Sequence, residues 1–116
     1  MNILTLCTAN HSRSPAVAAW IEKRCTTCTV LSAGLNHSLT AAMNGTPATE
    51  EMLKWADKIF VMEQRHYDRI KEYTGYTWLD KIYVLEIPDI YGYMDASLFV
   101  LLDAHDLLLS HFPKGD

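Results

Sequence analysis

The chain has 116 residues, a length that suits one domain spanning 1–116 and leaves room for one modest core. Hydrophobic residues make up 49% and charged residues 21%, the balance of an ordinary globular protein and not of a disordered or fibrous one. Ten Lys and Arg stand against 14 Asp and Glu, for a net charge of -4 with no basic run, which argues against nucleic acid or an anionic membrane surface as partner.

Short apolar runs alternate with helical patterns along the chain. This predicts an α/β fold: a small four-stranded parallel sheet, doubly wound, with helices on both faces. The first strand is expected at about Asn2 to Cys7. Its apolar run lacks the positive flank of a signal peptide. A helix follows, with Ser14 as expected cap, Pro15 at its first position, and Val17, Trp20, Ile21 and the stem of Arg24 on one stripe. "TVLSA", ended by Gly34, reads as the second strand, and "NHSLTAAMNG" as loop. "TPATEEMLKWA" reads as a helix capped by Thr46 with Pro47 just inside. "KIFVM" is the third strand, "EQRHYDRIKEY" a helix, and "KIYVLEI" the fourth strand, closed by Pro88. One last helix is expected from Asp95 to His111. It presents Leu98, Leu101, Leu102, His105, Leu108, Leu109 and Phe112 to the sheet, with His105 as a packed histidine holding one backbone partner. No stretch is long and apolar enough to span a bilayer.

Cys7, Cys25 and Cys28 are the only cysteines, an odd count that does not suit a secreted disulfide scaffold. A reducing cytoplasm is the expected location, and a working thiolate becomes plausible there. The "CTTC" run at Cys25 to Cys28 lacks a second Cys-x-x-Cys to complete a zinc site, and its placement is read as incidental. No metal-ligand cluster is expected, and no cofactor.

The chemistry concentrates in "CTANHSR", Cys7 to Arg13. In open parallel sheets ligands collect at the carboxyl ends of strands. Cys7 ends a strand directly before a helix N-terminus, whose free N–H groups and dipole attract an anion and favour a thiolate. Arg13 adds a fixed charge whose planar fork matches two phosphate oxygens. A nucleophile, an oxyanion cradle formed by Thr8, Ala9, Asn10, His11, Ser12, Arg13 and Ser14, and a charge clamp therefore lie within eight residues.

This loop resembles that of the low-molecular-weight protein tyrosine phosphatases, whose signature is Cys-x5-Arg-Ser-Pro with an asparagine three residues after the cysteine. Cys7, Asn10, Arg13, Ser14 and Pro15 match it. "SAGL" at Ser32 to Leu35, "ADKIFVME" at Ala56 to Glu63 and "IPDIYGYMD" at Ile87 to Asp95 resemble further parts of the family, in particular a short bacterial branch. The resemblance implies a cofactor-free phosphotyrosine phosphatase, acting on a phosphotyrosine protein or a small aryl phosphate. In it Cys7 forms a cysteinyl-phosphate, Arg13 and the loop amides hold the phosphoryl oxygens, and Ser14 bonds the thiolate. Asn10 would hold the loop in a left-handed conformation. Asp89 would be the general acid, with Asp95 and Glu63 the next acids in reach, and Tyr91 a wall of the pocket. Tyr93 is placed either beside Tyr91 or in the core, and His66 at the surface.

Departures are Ala9 for the family's glycine, His11 for an apolar residue or threonine, and Ile90 for the proline after the acid. Ser12 replaces a second loop cysteine, so no disulfide with Cys7 can form inside the loop. An arsenate reductase of the same fold would need resolving cysteines, and residues 50 to 90 contain none. A non-catalytic phosphoprotein- or anion-binding module would keep the cradle without nucleophile and acid, yet both are present. Oligomeric state is not legible in the sequence.

Overall fold

The computed structural model describes residues 1–113. Four strands form one parallel sheet in the order β2-β1-β3-β4: β1 (Asn2–Cys7), β2 (Thr29–Gly34), β3 (Lys58–Val61) and β4 (Ile82–Val84). β1 lies inside the sheet, with Ile3 opposite both Val30 and Lys58. Inner strands of a parallel sheet are covered on both faces and so read as continuous apolar runs, which is why β1 and β3 were legible.

Alternate residues feed two cores. Ile3, Cys7, Phe60 and Met62 point to the layer of α1 (Arg13–Arg24), α5 (Ala96–Asp103) and α6 (Asp106–His111). Leu4, Leu6, Ile59 and Val61 point to α3 (Glu50–Trp55) and α4 (Gln64–Thr74). The short α2 (His37–Ala42) follows β2. The expected sheet, with helices on both faces, is the observed architecture. No described helix is long and apolar enough to cross a membrane.

Several local expectations are corrected. α1 begins at Arg13 with Ser12 as its cap position, two residues earlier than the Ser14–Pro15 pair suggested. Ser14 is thereby released from capping and turned toward the sheet. "NHSLTAAMNG" is not all loop: Asn36 accepts from the Leu39 N–H at 3.0 Å and starts α2. Thr46 and Pro47 do not open a helix. They run beside the end of β2, with the Gly34 N–H donating to the Thr46 carbonyl and the Ala48 N–H to the Gly34 carbonyl, both at 2.9 Å. Thr49 caps α3 instead.

β4 is shorter than expected because Glu86 takes φ 58°, which breaks the ladder. Leu85 and Ile87 still donate to Val61 and Met62 at 2.9 and 2.8 Å. The single last helix is two, broken at Ala104–His105. A straight helix over that span would run about 25 Å, beyond the sheet it covers. The break lets Phe112 and His111 pack on Phe60 at ring distances of 5.6 and 5.4 Å. His105 stands at the break, its Nε2 2.6 Å from the Leu85 carbonyl.

Cys25 and Cys28 form a disulfide, so their placement is not incidental. The tight turn that follows α1 brings their Cα atoms to 5.4 Å, within disulfide range. Arg24 stacks its guanidinium, and not only its stem, over Trp20 at 4.6 Å.

Candidate active site

The site is built where β1 passes into α1, at the carboxyl edge of the sheet. Cys7 is a free thiol, 3% exposed. Its Sγ lies 3.0 Å from the Ser14 Oγ. The intervening loop bends at Asn10, whose φ of 55° is the left-handed value expected of it. Among the described residues, no acceptor takes a hydrogen bond from the N–H groups of Thr8, Ala9, Asn10, His11 or Ser12. Backbone amides in this state at a helix N-terminus form an anion-binding concavity.

Asn10 fastens the loop on three sides. Its Nδ2 donates to the Ser14 and Ser32 hydroxyls, each at 3.0 Å. Its Oδ1 accepts from the Thr46 N–H at 2.9 Å. Gly34 makes this closeness possible. A Cβ there would meet Thr40 Oγ1 at 2.0 Å and the Ala9 and Asn10 backbone at 3.0 Å. The glycine that ends β2 is required by this approach of β2 to the loop.

Arg13 is 1% exposed, a buried charge that must be paired. Its Nη1 donates to Glu63 Oε2 and, at 2.8 Å, to the Ile87 carbonyl. Those two bonds use both protons of Nη1. The Nε/Nη2 edge, the edge that grips an oxyanion with two parallel bonds, is left for a ligand. Asp89 stands at one end of that edge, its Oδ1 3.6 Å from Nε, with the carboxylate side chain 60% exposed. Ile87 reaches Arg13 because Glu86 has bent the chain.

Glu63 carries two guanidiniums on one oxygen, Arg65 at 2.9 Å and Arg13. The hydrogen bond from Arg65 first, and then Arg13, hold its carboxyl down at about 2 against the opposing effect of burial. Glu63 is therefore ionised throughout the neutral range and is not a proton donor, contrary to its place among the reserve acids. Asp95 is not one either: it caps α5, accepting from the Ser97 N–H at 2.9 Å and its hydroxyl at 2.7 Å, and those bonds lower its pKa.

His66 is the residue sequence reasoning missed. It is buried, not superficial, and its Nε2 lies 2.9 Å from the Thr8 Oγ1. Burial first, then the charges of Arg13 and Arg65, push its pKa down to about 4. The available signal was its position three residues after Glu63, the capping-box spacing.

At the mouth, His11 is exposed and its ring centroid lies 6.1 Å from that of Tyr93, itself 59% exposed. Tyr91 is half-buried against the α1/α5 core. Of the two tyrosines, Tyr93 is the one brought to the loop. Among the described residues, no group of three or more His, Cys, Asp or Glu is arranged to hold a metal ion. A cavity of about 510 Å³ lies away from Cys7, between α2, α3 and α4.

No family model matches the chain, and no curated protein matches its sequence. Solved structures do match in three dimensions. The tyrosine phosphatase AmsI of Erwinia amylovora is 21% identical at a TM-score of 0.75, over 97% of this chain and 93% of that one. The YwlE arginine phosphatase of Geobacillus stearothermophilus is 25% identical at 0.63, over 97% and 88%. A low-molecular-weight protein tyrosine phosphatase of Bacillus subtilis is 26% identical at 0.62, over 74% and 71%. The chain therefore has the fold of the low-molecular-weight protein tyrosine phosphatases.

Proposed function

We propose that the chain is a phosphatase that works through a cysteinyl-phosphate. The observation that carries this reading is the Cys7–Ser14 contact at 3.0 Å inside a loop of free amides that ends on the open edge of Arg13. The substrate's phosphoryl group sits on those amides and on the Nε/Nη2 edge. Cys7 attacks phosphorus and the leaving oxygen departs with a proton from Asp89. The charge on the equatorial oxygens is met by donors already in place. In the second step Asp89, now ionised, draws a proton from water, and that water displaces Cys7. Ser14 donates to the departing sulfur. Nucleophile, charge clamp and acid all come from the chain, so the reaction needs no cofactor.

The substrate class we favour is phosphotyrosine. The His11–Tyr93 pair supports this, because two rings at the mouth suit a flat aromatic leaving group. Phosphoarginine is the competing class, since an arginine phosphatase shares the fold.

The test is turnover of p-nitrophenyl phosphate in the presence of a chelator, followed by matched phosphotyrosine and phosphoarginine peptides. Chelator-resistant turnover with a higher kcat/KM on phosphotyrosine is expected. No turnover by the wild type would refute the enzyme reading, and preference for phosphoarginine would reassign the substrate.

A further inference from the structure

The steps above do not use His66. Its ring has both nitrogens engaged. Nδ1 accepts from the Glu63 N–H at 3.1 Å, so it carries no proton. The single proton of the neutral ring is then on Nε2, which donates to the Thr8 Oγ1 at 2.9 Å. The ring is 3% exposed, so water does not compete for either bond.

The partners of His66 lie at opposite ends of the cradle. Thr8 follows the nucleophile directly. Glu63 holds Arg13, the last residue of the loop, through its carboxylate. The chain of contacts Thr8–His66–Glu63–Arg13 therefore closes a ring across the first turn of α4. We propose that His66 is a positioning residue for the phosphoryl group: it sets the distance between the Thr8 end of the amide cradle and the Arg13 fork. A histidine that merely filled space in the core would need only one of these bonds, and would not link both loop ends.

The low pKa fits this role. A protonated ring would lose the Glu63 bond and add a third positive charge beside Arg13 and Arg65. Keeping the ring neutral keeps one tautomer, and one tautomer keeps both contacts directional.

The proposal rests on the loop being a phosphate site. The experiment separates the two by reading inorganic phosphate binding by calorimetry beside p-nitrophenyl phosphate kinetics. His66→Asn keeps an acceptor for the Glu63 N–H but is too short for Thr8, whereas His66→Gln reaches Thr8 with an N–H. Thr8→Val removes the partner. His66→Asn and Thr8→Val should each weaken phosphate binding about 10-fold, with a matching fall in kcat/KM, while His66→Gln stays within about 3-fold of wild type. The double variant Thr8→Val/His66→Asn should bind no more weakly than either single one, because both remove the same contact. Thermal unfolding of each variant identifies any that fails to fold, and the His66→Gln comparison stands without them. Additive losses in the double variant, or unaltered phosphate affinity in folded His66→Asn, would overturn the proposal. A wild type that binds no phosphate would instead overturn the reading of the loop.

Discussion

The sulfur of Cys7 and the hydroxyl of Ser14 lie 3.0 Å apart although seven positions separate them in the chain. The contact exists because α1 starts at Arg13, which leaves the Ser14 side chain to face back along β1. It assigns the two residues to different steps. Cys7→Ser should abolish p-nitrophenyl phosphate turnover and leave phosphate binding nearly unchanged, since the amides and Arg13 remain. Ser14→Ala should slow hydrolysis of the phospho-enzyme more than its formation. Rapid mixing would then show a burst of nitrophenol larger than in the wild type, and a smaller burst would contradict the assignment.

Asn10 combines a left-handed backbone with three hydrogen bonds. Asn10→Ala loses all three and keeps the strain, so it should cost at least about 2 kcal/mol of stability, read by urea unfolding. Asn10→Gly relieves the strain alone and should fall between the two. Equal stability of the Ala and Gly variants would show that the left-handed backbone costs nothing here.

Asp89 is exposed at the edge of the Arg13 fork, and its effect should grow with a departing oxygen's need for a proton. Asp89→Asn should lower kcat by about 10²-fold for a phenyl phosphate and much less for an activated nitrophenyl ester. A plot of log kcat against leaving-group pKa should be steeper in the variant. Parallel plots would assign the acid elsewhere.

Acid should weaken the fold in two stages. His66 binds its proton at 6.5 when unfolded and at about 4 when folded. The unfolded state therefore binds more protons between those values, and stability falls as pH drops from 6.5 to 4, by about 3 kcal/mol in total. Glu63, about 2 when folded against 4.5, contributes stability that is present above 4.5 and is lost as pH falls toward 2. His66→Gln should flatten the first stage, leaving a residual slope of the same sign from His111, whose pKa is lowered by burial and then by Lys58. Unfolding free energies measured at a series of pH values check both stages, and an unflattened first stage would exonerate His66.

Oxidation of Cys7 should have no intramolecular rescue. Ser12 offers no thiol, and Cys25 and Cys28 are already joined to each other beyond the far end of α1. That helix alone spans about 18 Å, while a disulfide needs Cα atoms within about 7 Å. Peroxide should carry Cys7 through sulfenic to sulfinic acid, with dithiothreitol effective only early and bound phosphate protecting. A mass-mapped Cys7 disulfide with either partner would refute this.

The fold was readable because its signals are local and apolar. The strands are short hydrophobic runs, and the apolar stripe from Leu98 to Phe112 predicts the buried face of α5 and α6 even across the break between them. The nucleophile loop was readable because seven consecutive residues hold its parts. What escaped depends on contacts between distant segments. The Thr46–Ala48 segment reads as a helix start until Gly34 is seen to need it as a neighbour. His66 reads as a surface residue until α4 is laid against Thr8. Arg13 reads as a clamp, but only the folded chain shows that Glu63 and the Ile87 carbonyl occupy one of its nitrogens and so choose the edge that faces a ligand.

β1 sits between β2 and β3, with Ile3 opposite Val30 on one side and Lys58 on the other. That placement has a consequence for how the protein acquires its chemistry during synthesis. Cys7 precedes both neighbours of its strand in the chain, and the charge partner of Arg13 comes later still. Closing such distant pairings is the slow part of folding in a parallel sheet. A nascent chain that has exposed Cys7 therefore holds a thiol without a cradle. On the proposed function, reactivity switches on only when β3 docks and brings Glu63 to Arg13, so a chain in which that pairing has yet to form is silent.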